Sequence, residues 1–89
     1  MIRRTSLFSG RVQGVGFRYT AQQVARDFKV TGYVRNMPDG RVELVAEGDE
    51  DEINGLLQLI AQRMEGFIKN RADIDVPATR QFKDFSVRH

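Results

Sequence analysis

Apolar residues alternate along some segments of this 89-residue chain and recur at helical spacing along others. The first segment, Thr5 to Val12, is predicted as a strand with Phe8 and Val12 on one face. The next is predicted as a helix of about three turns, because its apolar residues share one helical face. We expect Gly32 to end this helix. The apolar face consists of Phe17, Ala21, Val24, Ala25 and Phe28.

A β-hairpin is predicted after the first helix. Tyr33 to Met37 and Arg41 to Glu47 are predicted as its strands, with apolar and polar residues alternating in the second. The intervening residues Pro38, Asp39 and Gly40 are of the types that form tight turns. We therefore interpret Asp39 and Gly40 as turn formers and Tyr33 as a residue that packs on the sheet.

A second helix is predicted between Gly48 and Gly66. Asp49 followed by Glu52 is typical of a capping box, and the acidic first turn suits the positive end of the helix dipole. Gly55 lies inside this helix at a cost of about 1 kcal/mol relative to alanine, and the apolar pattern does not explain it. The predicted buried stripe consists of Ile53, Leu56, Leu57, Ile60 and Met64.

Two further strands are predicted near the C-terminus. Apolar residues alternate from Ile68 to Val76, Pro77 ends that strand, and Phe85 and Val87 mark a short last one. The order β-α-β-β-α-β is that of the ferredoxin-like plan. We therefore predict an α+β fold with an antiparallel sheet, two helices on one face and a short extra C-terminal strand.

Length and composition are those of one globular domain over residues 1–89. The chain has no cysteine, which excludes disulfides, thiolate metal sites and a cysteine nucleophile, and which fits a reducing compartment. No apolar run has the length of a membrane span, and the N-terminus lacks the apolar core of a signal peptide. We therefore expect a cytoplasmic protein that does not enter a membrane.

Positive charge is concentrated in the first half of the chain, although the net charge is only +2. Residues 1–41 carry eight Arg and Lys side chains against two acidic ones, whereas residues 42–89 carry six against ten. This asymmetry would raise the local concentration of an anionic ligand near the first half. We interpret the acidic run Asp49 to Glu52 as complementing a helix dipole rather than as a metal site.

A glycine-rich segment, G-R-V-Q-G-V-G-F-R from Gly10 to Arg18, joins the first strand to the first helix. Glycines leave backbone N–H groups unshielded, and the segment lies at the positive end of the helix dipole. Arg18 adds a permanent charge with a planar fork of donors that suits phosphate. The segment therefore has the ingredients of an anion site.

Three common phosphate and nucleic-acid motifs do not fit this segment. A Walker A loop requires Gly-Lys-Ser/Thr where the chain has Gly16-Phe17-Arg18, and a Rossmann fingerprint requires a glycine where it has Tyr19. Residues 15–19 resemble an RNA-recognition signature faintly. That signature lies on a central strand, where its aromatic side chains stack on bases, whereas Phe17 begins a helix and is needed in its apolar face. On this segment alone, a tight turn followed by an exposed surface arginine remains an open interpretation.

A second segment, G-Y-V-R-N-M-P-D-G-R-V-E-L-V-A-E-G from Gly32 to Gly48, decides between these interpretations. Together the two segments resemble both signatures of the acylphosphatase family, in order and over about a dozen positions. Residues 49–89 agree with the family only in general character. A similar domain occurs in hydrogenase maturation proteins, at the start of a much longer chain.

The resemblance implies an acylphosphatase, which hydrolyses an acyl phosphate to a carboxylate and inorganic phosphate. It implies that Arg18 is catalytic and binds phosphate, and that Asn36 orients the attacking water. It further implies no metal or cofactor, and we expect a small-molecule substrate, no nucleic acid and a monomer. The alternative is a non-catalytic phosphate- or RNA-binding module. In the enzyme, the phosphate-binding backbone N–H groups would be those of Gln13, Gly14, Val15, Gly16, Phe17 and Arg18.

Overall fold

Five strands and two helices follow one another in the predicted order in the computed structural model, which describes residues 1–89. The bounds of these strands and helices differ from the predicted ones by a few residues. The first strand begins earlier than predicted and ends at Gly10, so that Val12 lies beyond it. The strands are β1 (Ile2–Gly10), β2 (Thr31–Asn36), β3 (Val42–Gly48), β4 (Ile68–Pro77) and β5 (Phe85–Arg88). The helices are α1 (Phe17–Ala25) and α2 (Glu50–Arg63).

The strands form one sheet in the order β4-β1-β3-β2-β5. Strands β1 to β4 pair antiparallel, with Phe8 opposite Val42 and Val34 opposite Leu44. This arrangement confirms the ferredoxin-like prediction. The short last strand runs parallel to β2, with Val87 opposite Val34, so that the only parallel pair of the sheet lies at its edge.

The core lies between one face of the sheet and the apolar faces of both helices. On β1, β2 and β3 every second residue points into it, as the period of two predicts. The predicted stripe of α2 is buried in full, from Ile53 to Met64, and Val12 is buried although it lies in the loop after β1. The apolar pattern of the sequence therefore identifies most of the core correctly.

The first helix ends at Ala25 and not at Gly32. The N–H groups of Asp27 and Phe28 bond to the carbonyls three residues earlier, at 3.0 and 3.2 Å, so the chain tightens and leaves the helix there. Gly32 lies inside β2 at φ 141°, where a Cβ atom would approach the Val45 carbonyl oxygen to 1.8 Å. The glycine that the sequence suggested as a helix end therefore permits close strand pairing.

The predicted capping box at the start of α2 does not form. Asp49 occupies the N-cap position without a side-chain cap bond. Glu52 instead accepts a hydrogen bond from the backbone N–H of Lys29 at 2.7 Å, which ties the end of the α1–β2 connection to α2. Gly55 is explained by the same packing, because its Cβ atom would lie 2.5 Å from Cε1 of the Phe28 ring.

A buried carboxylate, Glu47, anchors the connection between β4 and β5. It accepts hydrogen bonds from the N–H and hydroxyl of Thr79 at 2.8 and 2.7 Å, and from the N–H of Arg80 at 2.7 Å. Burial raises the pKa of Glu47, but these hydrogen bonds outweigh burial and hold the pKa below its usual value. The connection is thereby directed back across the sheet to β5.

Neither helix has the length and apolar character that crossing a membrane requires.

Candidate active site

The loop between β1 and α1 exposes its backbone. Gly14 and Gly16 adopt left-handed conformations, with φ of 75° and 79°, and no other part of the chain lies within 4 Å of where their Cβ atoms would be. A residue with a side chain would be strained at either position and would shield the neighbouring N–H groups. The loop conformation therefore leaves backbone N–H groups available to a ligand, as an anion-binding nest does.

The Gln13 side chain fixes this loop to the β2–β3 hairpin. Its Nε2 atom donates to the carbonyl oxygens of Met37 and Arg41, at 2.8 and 2.9 Å. These two residues are themselves joined by a hydrogen bond from the Met37 N–H to the Arg41 carbonyl, at 2.8 Å. The sequence pointed only to the backbone of Gln13, whereas the structure shows that its side chain holds the two motifs together.

The first residue of α1 anchors the helix start. Phe17 is 2% exposed, and its ring centroid lies 4.8 Å from that of Phe8. The core assignment of Phe17 is therefore confirmed, and its ring is not available for stacking on a base. The anchored start places Arg18, the next residue, beside the glycine loop.

The hairpin turn positions Asn36, the last residue of β2. Asp39 accepts hydrogen bonds from the N–H and Nε of Arg41, at 3.0 and 2.8 Å, and these bonds lower the pKa of its carboxyl. Gly40 has a φ of 95°, which favours glycine. The interpretation of both residues as turn formers is confirmed. The ordered turn keeps Asn36 paired with Val42 at the end of its strand.

One cleft of about 380 Å³ brings the two motifs together. Arg18 from α1 and Asn36 from β2 both line it, although they lie on different elements. Of the predicted loop residues, Gln13 and Val15 are not among the lining residues, and the Val15 side chain packs partly against the core. The complete lining is Val12, Gly14, Gly16, Phe17, Arg18, Tyr19, Gln22, Asn36, Val87 and His89.

Five of these lining residues were not identified as site residues from the sequence, and one of them, Val12, was predicted only as a residue of the first strand. Gln22 lies one helical turn after Arg18, so the helical period could have pointed to it. Tyr19 is exposed and lies beside Arg18 in sequence. Val87 and His89 reach the cleft only because β5 pairs with β2, which no local pattern signals.

The last two residues contact the Arg18 guanidinium. Its Nη1 atom donates to the carbonyl oxygen of Arg88 at 3.3 Å and lies 3.2 Å from Nδ1 of His89. Arg18 is the only permanently charged side chain among the lining residues, and no carboxylate side chain is among them.

The structure contains no group of three or more His, Asp and Glu side chains placed to hold a metal ion.

The acylphosphatase family model matches residues 4–87. The chain belongs to the acylphosphatase family. It is 46% identical to the acylphosphatase of Methanospirillum hungatei over 71 residues, covering 80% of this chain and 78% of that one. It is 43% identical to the acylphosphatase of Marinobacter nauticus over 84 residues, covering 93% and 91%. Among solved structures, an acylphosphatase from Bacillus subtilis superposes over 100% of both chains, with a TM-score of 0.91 and 31% identity.

Acylphosphatase relatives therefore cover nearly the whole chain, including residues 49–89, where the motifs gave little. Membership confirms the prediction that the chain is an enzyme of this family. The superposition confirms the ferredoxin-like fold with its short extra strand.

Proposed function

We propose that the protein hydrolyses the carboxyl–phosphate bond of acyl phosphates, releasing a carboxylate and inorganic phosphate. The observation that carries this proposal is the single cleft shared by Arg18, Asn36 and the glycine loop. The names of its relatives support it, because each of those described above is an acylphosphatase.

The phosphoryl group is bound by Arg18 and by the backbone N–H groups of Gln13 to Arg18. A phosphoryl-transfer transition state spreads charge over its equatorial oxygens, so that catalysis depends mainly on positioning and electrostatic stabilisation. The left-handed Gly14 and Gly16 leave those N–H groups unshielded, and Arg18 adds a fork of charged donors. Because these donors are held before the substrate arrives, little reorganisation is needed in the transition state.

The attacking water is oriented by Asn36. An amide has both a donor and an acceptor, so it holds a water in one orientation. Because Asn36 lines the same cleft as the glycine loop, a water that it holds would attack the phosphorus opposite the leaving carboxylate.

The reaction needs no general acid, because the leaving carboxylate is already a stable anion. Asn36 cannot act as a base, so the proton of the attacking water passes to a phosphate oxygen or to solvent. These steps require no metal ion and no cofactor, and we expect full activity in the presence of a chelator.

Benzoyl phosphate hydrolysis in EDTA tests the proposal. We expect turnover by the wild type and competitive inhibition by inorganic phosphate. Arg18→Gln should lower the rate about 10³-fold, since it removes charged donors from the transition state. Asn36→Ala should lower kcat more than it raises KM, because the water and not the substrate loses its partner.

Arg26→Gln is the matched control, because Arg26 follows α1 directly and does not line this cleft. This variant should keep wild-type activity. A folded Arg18→Gln variant with full activity would exclude the assigned role of Arg18. If the wild type bound phosphate without hydrolysing benzoyl phosphate, the binding-module alternative would replace the enzyme proposal.

A further inference from the structure

The Gln13 side chain connects the glycine loop to the end of the β2–β3 hairpin through two donated hydrogen bonds. Its Nε2 atom lies 2.8 Å from the carbonyl oxygen of Met37 and 2.9 Å from that of Arg41. An amide nitrogen carries two hydrogens, so each carbonyl receives one. The opposite orientation of the amide would place Oε1 against two carbonyl oxygens. The contact therefore requires a side chain that ends in two donors.

The two carbonyl groups lie at the two ends of the hairpin turn. The Met37 carbonyl also accepts from the Gly40 N–H at 3.1 Å, and the Arg41 carbonyl from the Met37 N–H at 2.8 Å. With the Gln13 amide, each oxygen receives two hydrogen bonds, which matches its two lone pairs. The charged side chains of this turn, Asp39 and Arg41, pair with each other at 2.8 Å. A single neutral side chain thus bridges the loop to both ends of the turn.

The Gln13 contact lies one residue from Asn36. Asn36 is the last residue of β2 and directly precedes Met37, so its side chain enters the cleft from the point where the strand ends. Backbone atoms of adjacent residues move together, because the peptide bond that joins them is planar and rigid. The hydrogen bond from Gln13 to Met37 therefore also limits where the Asn36 amide can lie.

The glycine loop has further anchors at both of its ends. The Arg11 N–H donates to the carbonyl oxygen of Phe67 at 2.9 Å, and the Phe17 ring is buried in the core. At the start of α1, the Thr20 N–H donates to the carbonyl oxygen of Gly16 at 2.9 Å. Loss of the Gln13 amide should therefore leave the loop in place and release the end of the hairpin.

We propose that Gln13 is a positioning residue, whose amide holds Asn36 where its water attacks a phosphoryl group bound in the glycine loop. The inference rests on the proposed reaction. The Gln13 side chain does not line the cleft. It therefore acts through Asn36 and touches neither the substrate nor the attacking water.

Gln13→Met keeps the length of the side chain and the backbone N–H but removes both donors. With benzoyl phosphate we expect kcat to fall about tenfold to 10²-fold, because a displacement of about 1 Å in an active site is costly. The inhibition constant of inorganic phosphate should stay within about twofold of the wild-type value, because the loop is anchored separately. In an Asn36→Ala background, the same substitution should lower kcat less than about twofold, since the side chain that it positions is absent.

Gln13→Glu tests whether the donors matter. At neutral pH its carboxylate would face two carbonyl oxygens without a hydrogen, so kcat should fall at least as far as in Gln13→Met. As the pH falls to about 5, part of the carboxyl becomes protonated and donates one bond, so the ratio of variant to wild-type kcat should rise. Gln58→Glu is the charge-matched control, because Gln58 is an exposed residue of α2 that does not line the cleft. Its ratio to the wild type should stay constant with pH.

Amide hydrogen exchange measures the same contact without turnover. In Gln13→Met, the Met37 N–H should exchange about tenfold faster than in the wild type, because the end of the hairpin opens more readily. The Thr20 N–H should exchange at the wild-type rate, because the start of α1 does not depend on Gln13. Circular dichroism shows which variants are folded, and Gln13→Glu replaces Gln13→Met in these comparisons if the latter is not.

The positioning role and the proposed reaction fail in different ways. Unchanged exchange at Met37, or additive losses of kcat in Gln13→Met/Asn36→Ala, would overturn the positioning role in an enzyme that is otherwise active. A wild type that does not hydrolyse benzoyl phosphate would overturn the proposed function, and the positioning role with it.

Discussion

The two edge strands of the sheet differ in length, in exposure and in whether they contribute to the cleft. Strand β5 is short and half-buried. Its Val87, together with His89, which directly follows the strand, lines the cleft with Arg18 and Asn36. Strand β4 is long and exposed, and its polar side chains bond mainly to β1. The comparison shows that β5 contributes to the wall of the cleft, whereas no residue of β4 lines it. Charge changes on β4 should therefore alter stability and not the cleft.

The largest expected effect comes from replacing Arg18 in the cleft, with the same replacement of an arginine on β4 as the control. Arg18→Lys keeps the charge but loses the planar fork, so we expect kcat/KM for benzoyl phosphate to fall about 10²-fold. Arg71→Lys, on β4, should leave kcat/KM unchanged. Steady-state kinetics of both folded variants checks the comparison, and equal losses would contradict it.

Removal of Val87 to His89 tests whether β5 matters through the cleft. The deletion takes away part of the cleft wall and both contacts of the Arg18 guanidinium. Since small displacements of a catalytic group are costly, we expect kcat/KM to fall about tenfold to 10²-fold. A deletion variant that melts like the wild type and retains its activity would show that β5 is dispensable.

On the β4 side, Arg4→Met should affect stability and not activity. Arg4 is 8% exposed and donates to Asp75 at 2.7 and 3.0 Å and to Asn54 at 2.6 Å. Loss of these bonds should lower the free energy of unfolding by about 1–2 kcal/mol. Urea unfolding measures the loss, and an unchanged midpoint would contradict the expected role of Arg4.

The smallest effect is a pH dependence on the same side. The hydrogen bond from Arg4 holds the pKa of Asp75 below its usual value. The resulting stabilisation is fully present above the unfolded pKa of about 3.9 and is lost as pH falls through the folded value. Asp75→Asn should therefore be less stable than the wild type at neutral pH, with a difference that disappears in acid. Urea titrations at both pH values would show a constant difference if the ion pair did not contribute.

Local sequence patterns predicted the helices and strands well, but not the roles of residues that contact distant parts of the chain. The alternation of apolar and polar residues identified β3, and the helical period identified the stripe of α2, because these patterns reflect which face is buried. Gly32, Gly55 and Glu52 were misassigned or unexplained. Each is determined by a partner far away in the sequence: the Val45 carbonyl, the Phe28 ring and the Lys29 N–H.

By itself the sequence determined the fold class, the family and the two motifs, because residue type and short-range spacing record which residues are buried and where the chain turns. The tertiary structure decided the rest of the site. It joined the motifs through the Gln13 side chain, brought β5 parallel to β2, and placed Val87 and His89 beside Arg18. The physical reason is that segments distant in sequence form the cleft together, and the pairing of two distant strands leaves no pattern in the sequence of either one.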